Sequence, residues 1–255
     1  YDLIRIPKAE EKHQMYGTAI HETLKIYFNN YKNEKDLEVK KVIDIFVHKL
    51  QEMPMSKDER DDSIKKGTKA LTAYMNTYYP LWNRNLFTEY TVSANLDICL
   101  QESRRYSGRK MKQILKITGK LDKIEILNNN IINVIDYKTG KPKSRNEIEG
   151  KTKAGDRNYI RQLTFYKLLL DLDGKFSMRS GEIDFIEPNE RGKCKREMFE
   201  INEEDIQMLR DEINTMFDTI TSADFVNTKC EDNNCEYCRL GEILKIKSKI
   251  LNLKS

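Results

Sequence analysis

The chain has 255 residues, of which 38% are hydrophobic and 34% are charged, and its 45 basic side chains nearly balance 41 acidic ones. This length supports one substantial core, so we expect a single domain, and the composition excludes a disordered chain. With a formal charge of only +4, any affinity for nucleic acid has to come from local basic patches.

The sequence shows no pattern of a targeting signal or a membrane span. No stretch approaches the roughly 18 consecutive apolar residues that a membrane span needs, and no basic-then-apolar signal opens the chain. We therefore expect a cytoplasmic protein without a membrane partner. The sequence begins at Tyr1 within a mixed apolar and polar run, which favours a piece of a longer polypeptide.

Helical spacing of apolar residues dominates the first third of the sequence. It predicts a helix over about 10–29, with His21 inside it. Two further apolar stripes predict a helical subdomain over 37–86, interrupted near 53–57. We interpret residues at about 30–86 as a helical insertion.

From Phe87 onward, runs rich in Thr, Val and aromatic residues replace the helical stripes, which is typical of strands. The pattern predicts a helix over 158–172, a long helix over 203–220, and strands at about 88–98, 112–127, 131–138, 181–187 and 195–201. The predicted order of helices, strands, helix, strands and helix indicates an α/β protein.

A hairpin is predicted at the asparagine triplet 128–130, because Asn tolerates the left-handed backbone of a tight turn. If Leu127 opposes Ile131, the same register places Asp122 directly across from Asp136, with Cβ atoms about 5 Å apart. The two carboxylates would then share one face of the sheet.

Lys138 should project from the same face as Asp136, because strand side chains alternate, while Tyr137 points away. The apolar run at 131–135 indicates a strand buried on both faces, where two facing carboxylates need a positive neighbour. Mg²⁺ fits this need and would activate a water for phosphoryl transfer, with the lysine holding that water. The alternative is a buried ion pair without catalytic duty, but the pairing with Asp122 favours a metal site.

A set of motifs reinforces this interpretation: GKLD at 119–122, VIDYKTG at 134–140, Gln162 with Tyr166, YGTAIHE at 16–22, and Glu89 before the first strand. In this order and spacing they resemble the motifs of PD-(D/E)xK nucleases of the RecB and AddB type. The resemblance implies a restriction-endonuclease-like α/β core, that is, a mixed central sheet flanked by helices, with the N-terminal helical insertion added to it.

The resemblance also implies roles for individual residues. The implied ligands of Mg²⁺ or Mn²⁺ are His21, Asp122, Asp136 and the backbone carbonyl of Tyr137, and the implied catalytic lysine is Lys138. Gln162 and Tyr166 lie one helical turn apart on one face, where they would contact DNA or orient the site.

Three cysteines lie close together near the C-terminus, at Cys230, Cys235 and Cys238. The C-x2-C pair of Cys235 and Cys238 resembles the pair near the end of iron–sulfur members of the family, and Cys230 lies upstream of it, which gives C-x4-C-x2-C. The family usually has a further cysteine where this chain has Leu244, and an N-terminal cysteine that would fall upstream of Tyr1. Three interpretations stay open: a [4Fe–4S] cluster whose fourth ligand is missing upstream, a zinc site, or reduced cysteines.

Two basic clusters, at 104–112 and 141–157, flank the predicted hairpin site in sequence. They predict a basic rim that follows a phosphate backbone, although each cluster alone is equally typical of a solvated loop.

The function predicted from the sequence is the exonuclease module of a larger helicase–nuclease for DNA end processing. Its partners would be single-stranded DNA or duplex ends, and a helicase domain or subunit, because the chain has no phosphate-binding loop of its own for an ATP-driven motor. The alternatives are an inactive DNA-binding or scaffolding module of the same fold, a nuclease that acts on RNA, and a cysteine-centred metal sensor.

Overall fold

The computed structural model of the protein describes residues 11–99, 112–153 and 155–222. The chain forms two compact units, a larger one of residues 1–97 and 114–210, and a smaller one of residues 98–113 and 211–255. The candidate site lies entirely in the larger unit. Among the described residues, no helix combines the length and the apolar character that a membrane crossing requires.

The described residues contain six helices and five strands. In chain order these are α1 (Lys12–Tyr31), α2 (Val39–Gln51), α3 (Lys57–Tyr78), β1 (Leu86–Cys99), β2 (Lys112–Asn128), β3 (Ile131–Lys138), α4 (Arg145–Ile148), α5 (Asn158–Asp173), β4 (Ser177–Phe185), β5 (Lys195–Phe199) and α6 (Glu203–Ser222). Local signals set several of these ends. Ser56 caps α3 by accepting from the backbone N–H of Glu59, and Gly174 ends α5 with a left-handed backbone.

The five strands form one mixed sheet in the order β1-β2-β3-β4-β5. β2 and β3 pair antiparallel, β3 and β4 pair parallel, and β4 and β5 pair antiparallel. The parallel pair needs a crossover, and α4 and α5 lie in that connection. This is the expected restriction-endonuclease-like α/β core, with a mixed sheet flanked by helices.

The sheet register agrees with the prediction along the body of the hairpin. Lys123 pairs with Ile135 and Ile126 pairs with Ile132, so the next pair in the same register aligns the two predicted carboxylates. The prediction for the tip was wrong, because the register shifts after Ile126 and Asn128 pairs with Ile131. The shift shortens the loop from three residues to two.

Some predicted boundaries were also wrong. The helical subdomain does not reach residue 86, because α3 ends at Tyr78, just before Pro80, which is unfavourable for a continuing helix. β4 begins at Ser177 rather than at residue 181, since its first residues are mostly polar and give no apolar run. The four-residue helix α4 lies in a segment that was predicted only as a basic loop.

The helices contact both faces of the sheet. On one face, Ile135 and Tyr137 of β3 belong to the same apolar core as the buried residues of α1, α2 and α3. On the other face, α5 approaches so closely that a Cβ on Gly119 would lie 2.5 Å from the side chain of Leu169. β3 is therefore held between two helical layers, and its side chains are buried from Ile132 to Tyr137.

A buried polar network, not predicted from the sequence, lies between the sheet and α3. Asp184 of β4 accepts from the hydroxyl of Tyr74 at 2.6 Å and from Nε of Arg196 at 3.0 Å. Arg196 also lies 3.3 Å from Glu182. Burial raises the pKa of Asp184 to about 6, although Arg196 and Tyr74 act in the opposite direction.

The raised pKa of Asp184 predicts a specific dependence of stability on pH. The folded protein binds the carboxyl proton of Asp184 more tightly than the unfolded chain does. The contribution of this protonation to the free energy of unfolding is therefore lost as pH rises from about 4 through about 6. The free energy of unfolding of the wild type, minus that of Asp184→Asn, should therefore fall over this range, at most by about 1.4 kcal/mol per pH unit.

Urea denaturation at a series of pH values measures this difference. Asp44→Asn, which makes the same change on the exposed face of α2, is the matched control. A difference for Asp184→Asn that stays constant or increases with pH would contradict the prediction.

Candidate functional site

Asp122 joins three structural elements at the edge of the candidate site. Its Oδ1 lies 3.2 Å from Nδ1 of His21 in α1, and its Oδ2 accepts from the backbone N–H of Tyr137 at 2.9 Å. The carboxylate of β2 thereby contacts the helix-borne imidazole and the backbone of β3 at the same time. Gly17, one turn earlier in α1, lies beside Thr139, so the first predicted motif packs against the end of β3.

Asp136 is the centre of a second group, formed with α5. Its Oδ1 accepts from Nε2 of Gln162 at 2.7 Å and from the hydroxyl of Tyr166 at 3.2 Å. Its Oδ2 lies 2.5 Å from the ammonium of Lys138, which donates to Oε1 of Gln162 at 2.7 Å. These four residues form a connected network around a carboxylate that is only 1% exposed.

The local environment changes the protonation behaviour of these groups. Burial raises the pKa of Asp136, although the nearby charge of Lys138 acts in the opposite direction. Burial acts to lower the pKa of His21, but the hydrogen bond and charge of Asp122 outweigh it and raise this pKa above its usual value. A metal that binds to His21 has to displace a proton, so its affinity should increase with pH.

Glu89 is a third candidate metal ligand beside His21 and Asp122. One ligand atom from each of these residues lies within 4.8 Å of the others. Glu89 lies inside β1 and not before the first strand as predicted, because β1 begins at Leu86. Its backbone is left-handed, with a φ of 54°, which is uncommon for a residue other than glycine and often marks a functional site. Lys120 forms an ion pair with it.

The donor set fits a divalent metal ion. One imidazole nitrogen and two carboxylates are suitable ligands for Mg²⁺ or Mn²⁺. Asp136 adds a buried Oδ2 that lies 2.5 Å from the ammonium of Lys138, and because a carboxylate oxygen offers more than one lone pair, it could also bind a metal ion. The ring of Tyr137 points away from Asp136 and stacks on Phe28. The group of Tyr137 that could bind the metal is therefore its backbone carbonyl, as the resemblance implies.

The structure brings together six side chains that were predicted from the sequence, namely His21, Asp122, Asp136, Lys138, Gln162 and Tyr166. The sequence assigned no role to Glu89, and its only signal was its place among the motifs. Gln162 and Tyr166 do share one helical face, where Gln162 donates to the tyrosine hydroxyl at 2.7 Å. Cys230, Cys235 and Cys238 lie outside the described residues, and so does most of the first basic cluster.

The second basic cluster is less uniformly positive than predicted. Arg145 pairs with Glu149 and Glu197, Lys151 also pairs with Glu149, and Arg157 pairs with Asp205. These carboxylates were missed because two of the four pairings join residues about 50 positions apart in the sequence. Much of the predicted basic rim is therefore neutralised locally.

The geometry of Glu89 predicts how metal binding should respond to two neighbouring substitutions. Glu89→Gln should weaken the binding of Mn²⁺ by at least about 10-fold, because it removes a charged ligand, and the loss of an outer-shell partner alone typically costs about 10- to 100-fold. Lys120→Gln should strengthen binding by about two- to fivefold, because it removes an ammonium that competes with the metal for Glu89.

Isothermal titration of each variant with Mn²⁺, without nucleic acid, measures these affinities. Lys116→Gln, which makes the same change elsewhere on β2, is the control for Lys120→Gln. Equal affinities for the wild type and Glu89→Gln would remove Glu89 from the metal site.

Comparison with known proteins places these observations in a family. A sequence model of the PD-(D/E)XK nuclease superfamily matches residues 2–243. The chain belongs to this superfamily. Members of the PD-(D/E)XK superfamily use divalent metals, in agreement with the cluster of His21, Glu89 and Asp122. Family membership thus supports nuclease activity, the hydrolysis of phosphodiesters.

Two solved structures of limited similarity accompany the superfamily match. A protein from Eubacterium rectale named "Putative exonuclease" is 10% identical with a TM-score of 0.46, over 93% of this chain and 77% of its own. A protein named SSO0001 is 15% identical with a TM-score of 0.34, over 86% of this chain and 81% of its own. No curated protein matches the chain in sequence.

Proposed function

We propose that this PD-(D/E)XK protein is a Mg²⁺-dependent deoxyribonuclease that acts as an exonuclease on single-stranded DNA or duplex ends. The observation that carries the proposal is the network in which Asp136 holds Lys138, Gln162 and Tyr166 beside the donors His21, Glu89 and Asp122. A carboxylate pair that can hold a metal ion, beside a fixed lysine, suits the hydrolysis of a phosphodiester.

The residues with the best placement to hold the metal are His21, Glu89, Asp122 and Asp136, together with the carbonyl of Tyr137. Mg²⁺ or Mn²⁺ bound there would lower the pKa of a water molecule and neutralise charge on the substrate phosphate.

Lys138 acts on the substrate with its ammonium. Asp136 and Gln162 fix the ammonium at 2.5 Å and 2.7 Å, so little conformational freedom is lost when a phosphate arrives. The ammonium can then hold the attacking water and stabilise negative charge that develops on the phosphate oxygens.

Gln162 and Tyr166 orient Asp136 rather than taking part in the reaction. Both donate to Oδ1 of this carboxylate. Burial raises the pKa of Tyr166, so its hydroxyl stays protonated and remains a donor. The network leaves Oδ2 of Asp136 on the side of Lys138, where it could help to hold the metal beside the substrate.

The finer parts of the proposal rest on the motifs of the RecB and AddB type. By this resemblance the chain serves as the nuclease module beside a helicase domain or subunit, in DNA end processing. A [4Fe–4S] cluster held by Cys230, Cys235 and Cys238 belongs to the same proposal. Iron analysis and visible absorption of protein purified without oxygen test it, and a chain with zinc or no metal at these cysteines would refute the cluster.

Cleavage of end-labelled linear DNA, single-stranded and duplex, tests the main proposal. With Mg²⁺ or Mn²⁺ the wild type should shorten the DNA from its ends, and EDTA should stop the reaction. Asp136→Ala should abolish cleavage, because it removes a proposed ligand and the partner of the lysine. Lys138→Ala should lower turnover by about 100-fold or more, because it removes stabilisation of developing charge.

Asp44→Ala, which removes an exposed carboxylate from α2, should cleave like the wild type. Binding of DNA without cleavage by the folded wild type would favour an inactive scaffolding module instead. Cleavage of RNA but not of DNA would move the proposal to a ribonuclease, and internal cuts would refute the exonuclease.

A further inference from the structure

Lys143 lies beside the catalytic lysine, in the segment that connects β3 to α4. Its ammonium lies 4.8 Å from the centre of the Tyr159 ring, and the ammonium of Lys138 lies 4.7 Å from the same centre. Tyr159 is in the first turn of α5, one turn before Gln162. One aromatic ring therefore holds the proposed catalytic lysine and a second lysine close to the same site.

Lys143 lacks the close carboxylate partner that Lys151 and Arg145 have. Lys151 lies 2.6 Å from a carboxylate oxygen of Glu149, and Arg145 lies 2.9 Å from the same residue. The carboxylate nearest to Lys143 is Asp156, at 3.9 Å, and the side chain of this aspartate is 51% exposed. A contact of this length in solvent contributes little, so the charge of Lys143 remains available to an anion.

The backbone around Lys143 is fixed. Its carbonyl accepts from the ammonium of Lys195 at 2.9 Å, which ties the segment to β5. The next residue, Ser144, caps α4 through reciprocal hydrogen bonds with Glu147. A lysine on a fixed backbone, with its ammonium already held over a ring, loses little freedom on binding.

We infer that Lys143, held over Tyr159, binds a backbone phosphate of the DNA next to the phosphate on which Lys138 acts. The inference rests on the proposed function, because that function places the reacting phosphate at Lys138. Since the ring of Tyr159 already holds two ammonium groups, its role is to position them rather than to stack on a base. Recognition at this subsite is therefore electrostatic and independent of base sequence.

The test measures binding and does not depend on catalysis. Fluorescence anisotropy follows the binding of a labelled single-stranded oligodeoxynucleotide in EDTA over a series of salt concentrations. Lys143→Met should weaken binding by about three- to tenfold at low salt. It should also reduce the slope of log affinity against log salt by about 0.7, the change expected for the loss of one phosphate contact to a single strand.

Lys151→Met is the matched control, because it removes the same charge from a lysine in the same connection that already has a carboxylate partner. It should leave the affinity and the salt slope nearly unchanged. Equal effects of the two substitutions would overturn the inference, since the loss would then reflect net charge alone. An unchanged slope in Lys143→Met would overturn it as well.

The role of the ring is tested separately. Tyr159→Phe keeps the aromatic face and should bind the oligonucleotide like the wild type, whereas Tyr159→Leu should lose part of the affinity that Lys143 supplies. In the Lys143→Met background, Tyr159→Leu should then cause less additional loss. If Tyr159→Leu causes the same loss of affinity in the Lys143→Met background as in the wild type, the assigned role of the ring is overturned.

This experiment separates the inference from the proposed function. If the wild type cleaves DNA but Lys143→Met binds like the wild type, the subsite is wrong and the nuclease stands. If the wild type fails to cleave but Lys143→Met shows the predicted loss of affinity and slope, the phosphate contact of Lys143 stands, whereas the nuclease, and with it the reacting phosphate at Lys138, is wrong.

Discussion

The structure of the site depends on one constraint, the burial of the Asp136 carboxylate in the central strand. A buried carboxylate is unfavourable unless its oxygens find donors or a cation. Lys138 supplies the cation from two residues further along the same strand, and α5 supplies both donors. The position of α5 across the sheet is therefore tied to the chemistry of a single side chain, and the parallel crossover that contains α5 provides that position.

Asp122 likewise ties separate elements together through one carboxylate, on the side of the site that faces α1. It accepts from the backbone of β3 and contacts His21, so the hairpin and α1 meet at one carboxylate. The aromatic core holds α1 in this place, since Phe28 of that helix stacks on the ring of Tyr137. Along β3, alternate side chains thus serve different purposes. Asp136 and Lys138 face the site, and the tyrosine between them anchors the helical layer.

The sequence was sufficient to predict this arrangement where signals are local. Strand alternation at 134–138 placed Asp136, Lys138 and Tyr137 on the correct faces, and the hairpin register was correct except at its tip. Helical spacing placed Gln162 and Tyr166 on one face. The role of Glu89 could not be predicted, because it depends on a left-handed backbone and on contacts with residues from two other elements. The buried pairing of Asp184 with Arg196 was missed for a similar reason, since the pattern of β4 and β5 does not reveal burial of charge.

Gln162 shows why an amide, and not a carboxylate of the same length, occupies this place in α5. Its oxygen faces the ammonium of Lys138, and its nitrogen faces both Asp136 and the hydroxyl of Tyr166. A glutamate would present two acceptors and a second negative charge to Asp136, so one of these contacts would become repulsive. The amide of one neutral side chain therefore sets the direction of the hydrogen bonds in the network. Its nitrogen donates towards the carboxylate of Asp136, and its oxygen accepts from the ammonium of Lys138.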